Sequence, residues 1–280
     1  MSRIEIRDFS QRYKDRGSDY LALDHVNLNI EQGEFVCLIG HSGCGKSTLL
    51  AAIDGLLDDP ETGGIYVDGE RVTSPGGSRA LIFQNYSLFP WLTAADNIIF
   101  ANEQLYPEFR EKTRKEKREH ADIYLSQVGL EEEGNKYPGE LSGGMQQRIA
   151  IARALSVNPQ ILLADEPFGA LDPRNRTRLQ NLLVEVWQQA SGKLTVIFVT
   201  HDIDEAILLS DRIVFMKPRI VAEVIENPLK RPRDRSELLR SKEYNDLRNH
   251  LAALFYHGEN EYGEQEIPPH TDARKRREAS

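Results

Sequence analysis

The 280-residue sequence has little cysteine, no long apolar run and no excess of positive charge, and each shortage removes a class of protein. Its two cysteines, Cys37 and Cys44, match no zinc-ligand spacing and cannot build a disulfide framework, which points to a reducing, cytoplasmic setting. No stretch approaches the about 18 to 20 apolar residues that cross a bilayer, and Met1-Ser2-Arg3-Ile4-Glu5 opens no apolar signal region. A soluble chain is expected, reaching any membrane through a partner. The formal net charge of −9 argues against a general nucleic-acid surface, so no nucleic-acid partner is expected. No internal repeat is visible.

What is present is a hydrophobic content of 40%, enough for an ordinary core, in a length that suits one large domain or two small ones. Residues 3–8, 20–30 and 64–67 alternate apolar and polar side chains, as strands of a half-exposed antiparallel sheet do. Residues 35–39, 80–83, 161–164 and 196–200 are short apolar runs, the pattern of strands buried on both faces of a parallel sheet. Their alternation with helical segments predicts an α/β core. Ser74-Pro75-Gly76-Gly77 reads as a turn. From Ala94 to about Leu155 strand signals fade, and Ala121, Tyr124, Leu125 and Val128 recur at helical spacing beside a densely charged run. This predicts a helical subdomain, about residues 87–156, inserted in a domain spanning residues 1–250. Beyond it lies a C-terminal extension, 251–280, helical to about Tyr256 and lacking structure from 258 on, with a basic run at 274–277 read as a solvated tail.

Gly40-His41-Ser42-Gly43-Cys44-Gly45-Lys46-Ser47-Thr48 follows one of the apolar runs and opens a helix. In such a P-loop, backbone N–H groups wrap phosphates, the lysine neutralises charge and the Ser47 hydroxyl holds Mg²⁺. The helix N-terminus beneath favours an anion as well. Asp165 and Glu166 end the apolar run 161–164, which brings both carboxylates to the same sheet edge. Asp165 suits Mg²⁺, and Glu166, one position on, can orient and deprotonate a water. The bland alternative is a pair of acids capping the next helix. His201 and Gln84 also follow apolar runs: the imidazole can bond a phosphate oxygen or the attacking water, the amide can reach Mg²⁺ or water. Ser142, Gly143 and Gly144 begin a further helix and form a second anion site with no side chain in the way. Cys44, beside Lys46 and a helix N-terminus, is expected to be the reactive thiol, and Cys37 the inert one.

Taken in order, these elements resemble the nucleotide-binding subunit of an ABC transporter over about residues 3–250. Gly40 to Thr48 resembles Walker A, Gln84 the Q-loop, Leu141-Ser142-Gly143-Gly144-Met145 the signature, 161–166 Walker B, Ala170-Leu171-Asp172 the D-loop and His201 the switch histidine. The resemblance implies a P-loop NTPase (RecA-like) core with an antiparallel β subdomain, ATP and Mg²⁺ as ligands, and catalytic roles for Glu166, His201 and Gln84. It implies a second ATPase subunit, identical or a close paralogue, paired head to tail so that each ATP lies between the P-loop of one and the signature of the other. It also implies transmembrane permease subunits, a periplasmic or extracellular solute-binding protein acting indirectly, and a peripheral place on the cytoplasmic face of the inner membrane. Tyr13, or else Tyr20, is implied as the adenine platform. The aromatic segment 87–93 either meets a permease helix or packs within the helical subdomain. The wording of 83–86, 90–93 and 165–172 is most similar to importers of nitrate, sulfonates, taurine or bicarbonate. A soluble ABC ATPase of nucleic-acid maintenance or ribosome function is the alternative, though no coiled-coil insertion, zinc motif or second cassette is present. A small-molecule kinase would have no use for 141–145.

Overall fold

The computed structural model describes residues 2–15, 18–57, 59–190 and 192–261. The chain opens with a long hairpin, β1 (Ser2–Asp15) and β2 (Ser18–Glu31), whose inward residues Ile4, Ile6, Leu23, Val26 and Ile30 are fully buried. Strand β3 (Phe35–Gly40) follows, then helix α1 (Lys46–Asp54), a second hairpin of β4 (Thr62–Val67) and β5 (Glu70–Arg71), and β6 (Arg79–Ile82). The helical insert comprises α2 (Ala94–Leu105), α3 (Pro107–Arg110), α4 (Arg114–Gln127) and α5 (Gly143–Ser156), with a 3₁₀ turn at Pro138–Glu140. A capping box between Thr113 and Glu116 starts α4, and Ala121 and Leu125 are its buried face, as their spacing predicts. The core resumes with β7 (Ile161–Asp165), α6 (Pro173–Gln189), β8 (Thr195–Val199), α7 (Ile203–Leu209), β9 (Arg212–Lys217) and β10 (Ile220–Glu226), and closes with α8 (Arg235–Leu238) and α9 (Lys242–Glu261).

Strands β2-β1-β4-β5 form the antiparallel sheet; β10-β9-β3-β8-β7-β6 form the second sheet, parallel except for β10. Every residue of β3 and β8 is buried, because both faces of the parallel sheet are covered. Side chains alternate between two cores. Phe35, Cys37, Ile39, Phe198 and Phe215 pack with α2, α4, α5, α6, α7 and α9. Val36, Leu38, Ile197, Val214 and Met216 pack with α1 and the antiparallel sheet. The helix after β3 therefore covers one face, and those after β7 and β8 cover the other. Their divergence opens a crevice at the carboxyl edge between β3 and β8, where α/β sheets bind ligands.

Strands β9 and β10 were not among the predicted elements, although the apolar run 213–216 and the alternation after it carry the strand signal. The expected boundary at residue 250 falls inside α9, whose Leu251 is wholly buried in the core. Residues 258–261, expected to lack structure, are the last turn of that helix, since extending an existing helix is far easier than starting one. The expectation for 262–280 lies outside the described residues.

Candidate nucleotide site

The phosphate loop bridges β3 and α1, and glycine is required at two of its positions. Gly45 has φ 112°, and a Cβ there would lie 2.7 Å from Leu23 Cδ2 and 2.9 Å from the Ala22 carbonyl. Gly40, at φ 151°, brings the loop against Met216, whose carbonyl would meet a Cβ at 2.2 Å. Lys46 is buried and donates to the carbonyls of Gly40 (2.8 Å) and His41 (3.0 Å), curling the loop around its own ammonium. Ser42, Gly43 and Ser47 face solvent, and Thr48 is half-buried in the first turn of α1. The Cys44 N–H turns inward to the His41 carbonyl at 3.3 Å.

The two carboxylates after β7 separate as their neighbours dictate. Asp165 accepts a hydrogen bond from Ser47; burial pushes its carboxyl up, and that bond together with Lys46 opposes the shift. Glu166 has a left-handed backbone, φ 46°, unusual for a residue with a side chain. Its N–H is tied to the Val199 carbonyl of β8 at 3.1 Å, which turns its carboxylate along the sheet edge. There Gln84 Nε2 donates to Glu166 Oε2 at 3.2 Å, and His201 Nδ1 lies 3.4 Å from the same oxygen. Two residues predicted from separate strand ends thus meet on one oxygen of a third. His201 remains mostly exposed, its turn anchored by the Thr200 N–H on the Leu38 carbonyl at 3.2 Å.

Ser142 caps α5, its hydroxyl accepting from the Met145 N–H at 3.3 Å. Gly143 lies against the Tyr86 hydroxyl and Gly144 against Leu171 and the Ala170 carbonyl, so the signature and the 170–172 turn are neighbours. Asp172 caps α6 by accepting from the N–H groups of Arg174 and Asn175, both at 3.1 Å. Asn175's side chain, and then these N–H groups, hold its carboxyl below the usual range.

Tyr13 and Tyr20 face each other across the first hairpin. The Tyr20 hydroxyl approaches the Gly43 carbonyl at 3.5 Å, while Tyr13 is 41% exposed. Of the aromatic segment, Trp91 is 69% exposed, and Phe89 stands between it and Phe100, at 5.5 and 4.9 Å between ring centroids. Wholly buried Asn97 braces this segment by donating to the carbonyls of Leu92 and Thr93.

Cys44 corrects an expectation. Its thiol is 1% exposed and packs into the core beneath the loop; burial pushes its pKa up, and Lys46, with Nζ 3.8 Å from Sγ, only partly opposes this. The electropositive setting is present, but solvent is not. Native protein treated with a maleimide should therefore show neither Cys44 nor Cys37 labelled at early times, with both labelled after unfolding in guanidinium. Rapid, ATP-protected labelling of Cys44 by mass spectrometry would contradict this packing.

Several contacts at the loop were missed because they join distant parts of the chain. His41 Nε2 donates to the Phe255 carbonyl of α9 at 3.1 Å, with the two rings 5.1 Å apart. The Arg219 N–H, in the β9–β10 turn, holds the Cys44 carbonyl at 3.0 Å. Arg153 of α5 donates to the Ser87 carbonyl at 2.8 Å, fastening the left-handed residues Tyr86 and Ser87 just after Gln84. No short-range sequence signal marks these pairs.

Comparison with known proteins agrees with this geometry. The family model described as ABC transporter matches residues 23–169, from within β2 to Gly169, just past Glu166. Nitrate import ATP-binding protein NrtD of Synechococcus elongatus is 46% identical over 85% of this chain and 85% of its own. Bicarbonate transport ATP-binding protein CmpD of Synechocystis sp. is 43% identical over 90% of this chain and 89% of its own. The ATP-binding cassette MJ0796, in a dimeric post-hydrolysis structure bound to ADP and Pi, superposes with a TM-score of 0.74 at 35% identity, covering 81% of this chain and 100% of that one. With the phosphate loop, the signature and the paired carboxylates all in place, the chain belongs to the ABC transporter family, as an ATP-binding and ATP-hydrolysing subunit.

Proposed function

We propose that this chain energises import of a small anion of the nitrate, bicarbonate, sulfonate or taurine type by hydrolysing ATP at the cytoplasmic face of the inner membrane. The observation that carries the hydrolytic reading is the convergence of Gln84 and His201 on one Glu166 oxygen beside the phosphate loop. Transport of such an anion is supported by the relatives named nitrate import and bicarbonate transport proteins.

In this reading the backbone of 40–48 cradles the phosphates and Lys46 neutralises them. Glu166, held by Gln84, takes a proton from the attacking water, and His201, beside that carboxylate, offers its N–H to the terminal phosphate. Ser47 and Asp165 are hard oxygen donors already in contact, with Gln84 nearby, and a desolvated carboxylate gains most from a cation. They fit Mg²⁺, which when bound would screen the charge on the phosphates. Tyr13, the exposed ring of the opposed pair, stacks on adenine while Tyr20 braces the loop. Ser142, Gly143 and Gly144, with Asp172 beside them, face the phosphate loop of a second subunit, either identical or a paralogue. Trp91 and Phe89 meet the permease, since an exposed indole backed by two rings and a buried asparagine is a preformed anchor. A solute-binding protein acts from the far side of the membrane. Among the described residues no helix is long and apolar enough to span it, so attachment runs through those partners.

A tagged chain solubilised from membranes should co-purify with a permease, and proteoliposomes of that complex with its binding protein should take up labelled nitrate or bicarbonate only with internal ATP. Lys46→Ala should abolish uptake. Co-purification with nucleic acid or ribosomal particles in place of a membrane protein would overturn the assignment.

A further inference from the structure

A buried carboxylate behind the histidine turn has no part in the site described so far. Glu205, on α7, is 5% exposed, and both its oxygens are engaged. The Thr200 hydroxyl donates to Oε2 at 2.5 Å and the Gln180 amide of α6 donates to Oε1 at 2.8 Å. Thr200's oxygen in turn accepts the Asp202 N–H at 3.0 Å, and the Asp202 carboxylate accepts the Glu205 N–H at 3.1 Å. Residues 200, 202 and 205 thus close a ring of hydrogen bonds, and His201, lying between its members, projects outward to Glu166. Packing alone does not call for a carboxylate here, where an apolar side chain would fill the space without the cost of burying charge. The ring also reaches the 170–172 turn. Gln180 belongs to the helix that Asp172 caps; burial pushes the Glu205 carboxyl up, the Thr200 and Gln180 bonds oppose this, and so to a lesser degree does Arg176 on that helix, which also donates to the Leu171 carbonyl at 3.4 Å.

We propose that Glu205 is a positioning residue for ATP hydrolysis: through Thr200 it fixes the turn that aims His201 at Glu166, and through Gln180 it locks that turn to the helix starting at Asp172. The proposal rests on the role given to His201 above. Fixing a histidine within a few tenths of an ångström affects the chemical step and leaves the phosphate loop, and hence ATP affinity, unaltered.

The test is single-turnover ATP cleavage, with enzyme in excess so that slow residual rates stay measurable, on Glu205→Ala, His201→Ala and the double variant. Glu205→Ala should lower the cleavage rate about tenfold or more at unchanged ATP affinity, and should add less than about twofold in the His201→Ala background, because a residue that acts through another has no effect once the other is gone. Thr200→Val should reproduce the loss and Thr200→Ser should recover most of it; this pair decides the matter should Glu205→Ala fail to fold. Losses that multiply on a slowed His201→Ala enzyme, or an ATP affinity that falls in step with the rate, overturn the positioning role alone. A wild-type rate in His201→Ala by itself overturns the role of His201, and the proposal with it.

Discussion

Glu166→Gln should bind ATP with an affinity within a few-fold of wild type while hydrolysing it about 10² to 10⁴ times more slowly. The substituted amide keeps an oxygen that Gln84 Nε2 can still reach, so the bond seen at 3.2 Å survives the change and the sheet edge keeps its shape. What disappears is the capacity to take a proton from water. Lys46, Ser47 and the loop N–H groups lie on the other side of the crevice and are untouched, so a fluorescent ATP analogue should titrate as before while phosphate release falls to background. Turnover close to wild type would remove Glu166 from the role of base. The left-handed backbone at this residue, φ 46°, adds a check: the Gln variant carries the same strain, so its melting temperature should match wild type within a degree or two.

Ser142→Arg should abolish cooperative hydrolysis and leave ATP binding by the isolated subunit nearly unchanged. Ser142 is exposed at the start of α5, next in sequence to Gly143 and Gly144, which lie against Tyr86 and the Ala170–Leu171 segment. On the two-subunit arrangement proposed above, a guanidinium there would fill the space that a partner's terminal phosphate enters. The substitution also removes a helix cap, worth about 1 kcal/mol, so Ser142→Ala serves as the control that loses the cap without adding bulk. Hydrolysis against protein concentration should be sigmoidal for wild type and the alanine variant and flat for arginine. Loss of nucleotide binding by the Ser142→Arg monomer would place Ser142 in its own subunit's site and defeat the two-subunit arrangement.

The site was legible in the sequence wherever chemistry demands a short, fixed spacing. Gly40 to Thr48 needs glycine where the backbone turns left-handed and a lysine one step on, and no structural context relaxes that. Asp165, Gln84 and His201 were legible for a different reason: each ends an apolar run, and parallel strands deliver their ends to one edge. That the last two share a single oxygen of Glu166 was not, since side-chain direction at a strand end depends on neighbours from other strands. Cys44 failed in an instructive way. Charge near a thiol can be read from sequence, but access of solvent cannot, and here the loop turns that side chain into the core beneath it. Glu205 reads as a routine acid near a helix start; only Gln180, from a different helix, reveals it as buried and fully bonded. The contact of α9 with His41 spans more than two hundred residues and has no local signature.

Strand order carries a consequence for how the molecule is made. The strand bearing the phosphate loop, β3, is hydrogen-bonded on one side to β8 and on the other to β9, both of which come late in the chain. The hairpin of β1 and β2 can close by itself from neighbouring residues, and the helices of the insert need mostly one another. The loop cannot be held in its working shape until residues 195–217 have left the ribosome and slotted in on either side. Non-local pairing of this kind is slow and leaves apolar edges bare meanwhile. A nascent chain halted before β8 therefore carries the complete phosphate-binding motif with neither flanking strand to support it, and is a natural client for chaperones.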